Sequence, residues 1–158
     1  MFLFHSPSQR QLSLALAALR VTVGTIFIAH GAQKLFTYGF AGVAGAFGQM
    51  GIPFPAVMGP LIALLEFFGG IALVIGLLTR LASLGLAFDM LGAILFVHLK
   101  GGFFLPAGYE YALSLLGSSI ALVVTGAGQF SIDGLLAGRN DAALKVTASE
   151  RLMTRRAA

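Results

Sequence analysis

The sequence predicts an all-α integral membrane protein, built as an antiparallel four-helix bundle. Its 158 residues are 58% hydrophobic and only 10% charged, against about 25% charged and 45–50% apolar in soluble domains. Mean hydropathy is +0.92. Apolar runs of bilayer-spanning length, roughly 20 residues, recur four times, and no alternating strand pattern suggests a β-barrel. This composition excludes a disordered chain, a nucleic-acid module and an ordinary soluble enzyme. Cysteine is absent, so disulfides, thiolate metal ligation and a cysteine nucleophile are all excluded.

Residues 1–11 are expected to be a short cytoplasmic N-terminus. The first span, 12–36, carries Arg20 and His30. Arg20 interrupts its apolar run and no small-residue cleavage site follows, so it reads as a retained helix rather than a signal peptide. A connection rich in glycine then leads to Pro53 and Pro55, with a short interfacial helix expected over 41–50. The second span, 56–78, carries Glu66, and a minimal turn at Thr79-Arg80 leads into the third, 81–99, which carries Asp89. A loop containing Gly101-Gly102 and Pro106 precedes the fourth span, 109–128, with Glu110 at its start. The remainder, 129–158, is a basic tail.

Lysine and arginine are distributed unequally. Arg10, Arg80, Arg139, Lys145, Arg151, Arg155 and Arg156 fall on one side of the spans, and Lys34 and Lys100 on the other. The positive-inside rule then predicts cytoplasmic N- and C-termini.

Charged groups inside a span are the informative residues, because each costs about 2.5–3.5 kcal/mol at the bilayer centre on insertion scales. At 1.5 Å per residue, Arg20, Glu66 and Asp89 each lie roughly 12–15 Å into their spans. Small residues share their faces: Gly24 and Gly31 with Arg20 and Lys34, Gly59, Ala63 and Gly70 with Glu66, and Gly85 and Ala93 with Asp89. A fourth stripe joins Glu110, Ser114, Gly117 and Ala121. Small residues let helices approach closely in lipid, so all four stripes are expected to face the bundle interior. The expected centre is an Arg20–Glu66 ion pair, which either fixes helix register or lines a small polar cavity.

A second group gathers at the outer end: His30, Lys34, His98, Lys100, Tyr109 and Glu110. Such a group suits an anionic or quinone-like head group, or proton movement; the bland alternative is snorkelling side chains and a helix-end salt bridge. Asp89 and His98 are nine residues apart, on opposite faces of a straight helix, so only one of them can face inward. His30 and His98 are poorly placed as haem ligands, and no glycine fingerprint follows a strand. No metal site, haem or covalently bound cofactor is expected.

These segments in order resemble the DoxX family of small bacterial membrane proteins. The resemblance rests on Arg20 and Gly24, on His30-Gly31-Ala32-Gln33-Lys34-Leu35-Phe36, and on Gly51-Ile52-Pro53. It continues through Glu66 before Gly69-Gly70, Gly76-Leu77-Leu78-Thr79-Arg80, and His98-Leu99-Lys100-Gly101-Gly102-Phe103-Phe104. Gly108-Tyr109-Glu110-Tyr111, Thr125-Gly126-Ala127-Gly128 and Ser131-Ile132-Asp133 close it. It implies a four-helix inner-membrane fold and an association with redox chemistry, relatives including the membrane subunit of a thiosulfate:quinone oxidoreductase. Arg20, His30, Lys34, Glu66, His98 and Glu110 match the family pattern, whereas Asp89 lies outside it.

The expectation is therefore a membrane subunit supporting quinone-linked oxidoreduction of the thiosulfate or thiol type. Glu66 and Arg20 would form its catalytic polar centre, and His30, Lys34, Glu110 and His98 would hold the quinone. An oxidoreductase partner subunit is expected besides the lipid bilayer, no nucleic acid is, and a homodimer stays open. The alternatives are a small-solute transporter or channel, and an assembly subunit without chemistry.

Overall fold

A computed structural model describes residues 6–138. The tail residues Arg139, Lys145, Arg151, Arg155 and Arg156, which carry most of the expected charge asymmetry, lie outside the described residues. Those described are all-helical, without a strand.

Helix α1 (Gln9–Ala32) opens on a capping box. Ser8 Oγ accepts the Gln11 N–H at 3.3 Å, and Gln11 Oε1 accepts the Ser8 N–H at 2.8 Å, which satisfies donors that the first turn leaves free. The helix widens into a π turn over Gln33–Tyr38 and continues as α2 (Gly39–Gln49), the helix expected at 41–50. Helix α2 lies on the start of α3 (Pro55–Ile75): a Cβ on Gly59 would stand 3.0 Å from the Ala44 nitrogen. Pro55 takes the first position of α3, where a missing N–H costs nothing.

Helix α3 ends at Gly76, whose φ of +70° an L side chain rarely adopts. Gly76 N–H donates to Leu73 O at 3.2 Å and Leu77 N–H to Ala72 O at 2.9 Å, the paired bonds of a Schellman ending. Helix α4 (Thr79–Gly92) starts three residues later. It passes through a second π turn, Ala93–His98, into a single 3₁₀ turn, Leu99–Gly101. Helix α5 (Glu110–Thr125) follows a tight loop. The continuous helical stretches Gln9–Gln49, Pro55–Ile75 and Thr79–Gly101 are long and apolar enough to cross a membrane. The 16 residues of α5 rise about 24 Å, less than the roughly 30 Å of a hydrocarbon core.

Helices α1 and α3 run antiparallel at very close range. A Cβ on Gly24 would stand 2.7 Å from Gly70 O, one on Gly70 2.7 Å from Gly24 O, and one on Gly31 2.7 Å from the Phe67 Cα. Backbone approach of this kind is how helices associate in lipid, where burial of apolar surface no longer drives them together. Helix α3 packs on α4 through Gly69 under Leu86 and Gly85 under Leu65, and α4 packs on α5. The buried core joins Val23, Phe27, Leu73, Leu86, Met90, Leu115 and Leu122. Leu14, Val57, Phe68, Leu81, Phe88 and Val124 are exposed, as an outer surface solvated by lipid requires. The chain is a membrane protein with several spanning helices.

One expected face is wrong. Helix α5 buries Ala112, Leu115, Ser119 and Leu122, while Ser114, Gly117 and Ala121 of the expected stripe are exposed. The buried face alternates small residues, Ala112 and Ser119, with the leucines Leu115 and Leu122. Ser114 and Ser118 return their hydroxyls to Glu110 O and Ser114 O within the helix and so need no partner across the bundle.

Candidate functional site

The two buried charged centres lie at different heights, and the expected Arg20–Glu66 ion pair does not form. Arg20 is 1% exposed and sits at the C-terminal end of α3. Its Nη1 donates to Leu73 O at 2.8 Å and Val74 O at 3.3 Å, and its Nη2 to Phe130 O at 2.6 Å. The last carbonyls of a helix lack intrahelical donors and carry the negative end of its dipole, so a guanidinium suits that position. Glu66 is seven residues earlier in α3, about 10 Å along the axis, too far for contact.

Asp133 completes the Arg20 end. Its carboxylate accepts the Leu78 N–H at 2.8 Å and the Thr79 N–H at 2.9 Å, capping α4. Leu78 has a φ of +49°, unusual for a branched side chain. The α3–α4 turn is thus held by a cation at the end of one helix and an anion at the start of the next, each from a distant segment, and the two attract each other. Asp133 was quoted in the resemblance but not singled out as a site residue. A polar group that caps a helix start 55 residues earlier in the chain has no local sequence signature.

Glu66 instead pairs with Lys34. A helical side chain leans toward the N-terminus of its helix, so Lys34, in the π turn above α1, sends its stem back into the bundle. Its Nζ meets Glu66 Oε2 at 2.5 Å, with the side chains 20% and 5% exposed. Asp89 of α4 is buried at the same level: Gly69 packs under Leu86, a register that sets Glu66 and Asp89 opposite each other across the α3–α4 hairpin, and the Asp89 carboxyl lies in range of the charges of Glu66 and Lys34. Its Oδ2 is buried without a partner. Asp89 therefore faces inward. It was missed as a site residue although a signal existed: Glu66 and Asp89 stand equally far from the Leu77-Leu78 turn, and an antiparallel hairpin brings such residues level.

The remaining outer residues do not join this site. His98 ends the second π turn and its Nδ1 is 3.3 Å from Ala107 O. Glu110 Oε1 accepts the Leu105 N–H at 2.8 Å. Both hold the loop between α4 and α5, where Gly101 and Gly108 lie directly against backbone atoms of Ala107, Phe103 and Phe104. His30 is exposed, its ring tilted 50° against Tyr111 at 6.2 Å between centroids. Among the described residues no three histidine or carboxylate groups gather to hold a metal ion. A surface groove of about 470 Å³ lies at the Arg20 end, lined by Thr79, Arg80, Gly126 and Asp133 among others. It lies away from Lys34, Glu66 and Asp89.

A membrane-embedded helical protein with two carboxyls and an ammonium buried together between its helices is the class defined so far. The chain belongs to the DoxX family, whose model matches residues 15–99, a stretch that includes Arg20, Lys34, Glu66 and Asp89. It is 37% identical over 115 residues to a Bacillus subtilis protein named "Putative oxidoreductase CatD", covering 73% of this chain and 81% of that one. It is 34% identical over 132 residues to an uncharacterized membrane protein, Rv3486, of Mycobacterium tuberculosis, covering 77% and 80%. It is 36% identical over 118 residues to the inner membrane protein YqjF of Escherichia coli, covering 74% and 88%. No solved structure matches the chain significantly.

Proposed function

We propose that this protein is an inner-membrane subunit supporting quinone-linked oxidoreduction, with Lys34 and Glu66 as the site where the quinone head group is met. Helix α5, though short, serves as a fourth span of an antiparallel bundle, with both termini cytoplasmic by the positive-inside rule. The Lys34–Glu66 pair carries the reading: an ammonium against a carboxylate, with Glu66 buried and Lys34 partly open. A quinone dissolved in the bilayer reaches such a group from lipid, past Phe36 and Phe67, which pack edge to face.

Reduction of a quinone to a quinol takes two electrons and two protons. Lys34 donates a hydrogen bond to a quinone carbonyl oxygen and passes a proton to it as charge develops, and Glu66 stabilises the charged lysine between turnovers. The chain has no cysteine, and the electrons come from a thiol or thiosulfate donor oxidised on a partner subunit. The name of the Bacillus subtilis relative agrees with redox work. Arg20 keeps out of this chemistry, because its donors are spent on carbonyls.

Extraction of the purified protein should recover quinone, identified by mass spectrometry. Lys34→Met should lower the recovered amount about tenfold, the worth of one charge-assisted hydrogen bond. Full recovery from that variant, or no quinone from the unaltered protein, defeats the reading. Uptake of a polar solute into liposomes that depends on Glu66 would point to transport instead.

A further inference from the structure

We infer that Asp89 and Glu66 hold a single proton between them, making Asp89 the proton store of the site. Three ionisable groups converge from three elements: Lys34 from the π turn after α1, Glu66 from α3 and Asp89 from α4. The face that α5 turns inward is Ala112, Leu115, Ser119 and Leu122, none of them titratable. Glu110 is engaged with the Leu105 N–H, and Tyr111 is exposed against His30. The Arg20 guanidinium is about 10 Å away along the axis and is bonded to Leu73, Val74 and Phe130.

Charge counting decides the state of the site. One ammonium balances one carboxylate; the second carboxylate would remain an uncompensated charge among apolar helices, where neutralisation is the cheaper outcome. The geometry offers a place for the neutralising proton. Two carboxylates in contact are both acceptors and repel, whereas one proton turns the same contact into a hydrogen bond. The oxygen available for it is Asp89 Oδ2, buried and without a hydrogen-bond partner.

The consequence for turnover rests on the quinone reading; the shared proton does not. When Lys34 gives a proton to the quinone oxygen, its N–H bond breaks and an O–H bond forms on the quinone. The proton held by the carboxyl pair then passes through Glu66 to Lys34 Nζ, restoring the ammonium and leaving both carboxyls ionised. Uptake of one proton from the aqueous side resets the pair, and a second aqueous proton goes to the other quinone oxygen to complete the quinol.

Infrared spectroscopy of the full-length protein in lipid vesicles tests the shared proton without any activity measurement. At neutral pH the unaltered protein should show a carboxylic acid C=O band that shifts in D₂O. Asp89→Asn should abolish it. Glu66→Gln should abolish it as well, since Asp89 is then the one carboxylate that balances the Lys34 ammonium and it ionises. Absence of an acid band from the unaltered protein overturns the inference, and so does a band unchanged in Asp89→Asn. If Asp89→Asn fails to fold, the band of the unaltered protein and its displacement in Asp89→Glu decide the matter. The expected band together with a failure to recover quinone would leave this inference standing and remove the quinone reading alone.

Discussion

The two ends of the α1–α3 interface solve one problem in opposite ways. Each buries a cation against the same helix. At the Arg20 end the guanidinium takes three backbone carbonyls and the nearby carboxylate, Asp133, caps α4 instead of closing an ion pair. At the other end an ammonium faces two carboxyl side chains. Arginine stays charged throughout the physiological range and its planar fork suits fixed acceptors, so the first arrangement is a permanent clamp. Lysine, glutamate and aspartate can exchange protons, so the second can change state. Gly24, Gly31 and Gly70 join the two, since only glycine admits the backbone approach between them.

Breaking the clamp should have the largest effect. Arg20→Leu strips donors from Leu73, Val74 and Phe130, at about 1–3 kcal/mol for each buried group left unsatisfied. Thermal unfolding in detergent should fall steeply, and Arg20→Lys should recover only part of the loss, because one ammonium cannot reproduce the fork. Complete rescue by lysine would mean that charge alone matters there and would erase the contrast between the two ends.

Asp133→Ala should cost about 1–2 kcal/mol, the usual worth of a helix cap, and Asp133→Asn much less, because an amide oxygen still caps. Quinone content should stay unchanged in both. A loss of quinone from either variant would show the clamp and the Lys34 site to be one unit.

Glu110→Gln should have the smallest effect, under about 0.5 kcal/mol, since its amide oxygen still accepts the Leu105 N–H. It should leave quinone content intact. A marked fall would return Glu110 to the site and spread the chemistry over the whole outer end.

Much of this was legible in the chain. Spans were readable because lipid demands long uninterrupted apolar runs, and each observed helix falls within a few residues of its expected bounds. Arg20, Lys34 and Glu66 were identified as important because a charge inside such a run has no cheap alternative explanation. Partnership was another matter. Arg20 and Glu66 looked level when measured from opposite span ends, but α1 begins at Gln9 and its first turns pack beside the segment after α5, where Ser13 Oγ accepts the Gln129 N–H. The axial offset of α1 against α3 therefore depends on contacts with residues more than a hundred positions away. The same holds for α5, where the expected inner face was the stripe of Ser114, Gly117 and Ala121 and packing turned Ala112, Leu115, Ser119 and Leu122 inward instead.

Sequence by itself determined that the chain is helical, that it lives in a membrane, and which side chains are costly enough to need a purpose. Periodicity and hydropathy are local properties, and they suffice for that. Only the tertiary structure decided who meets whom: Lys34 with Glu66 and Asp89, Arg20 with the end of α3, Asp133 with the start of α4. Those meetings depend on how far one helix slides along another. That distance is set by glycine contacts and helix-end caps contributed by segments remote in sequence, so no local stretch of the chain encodes it.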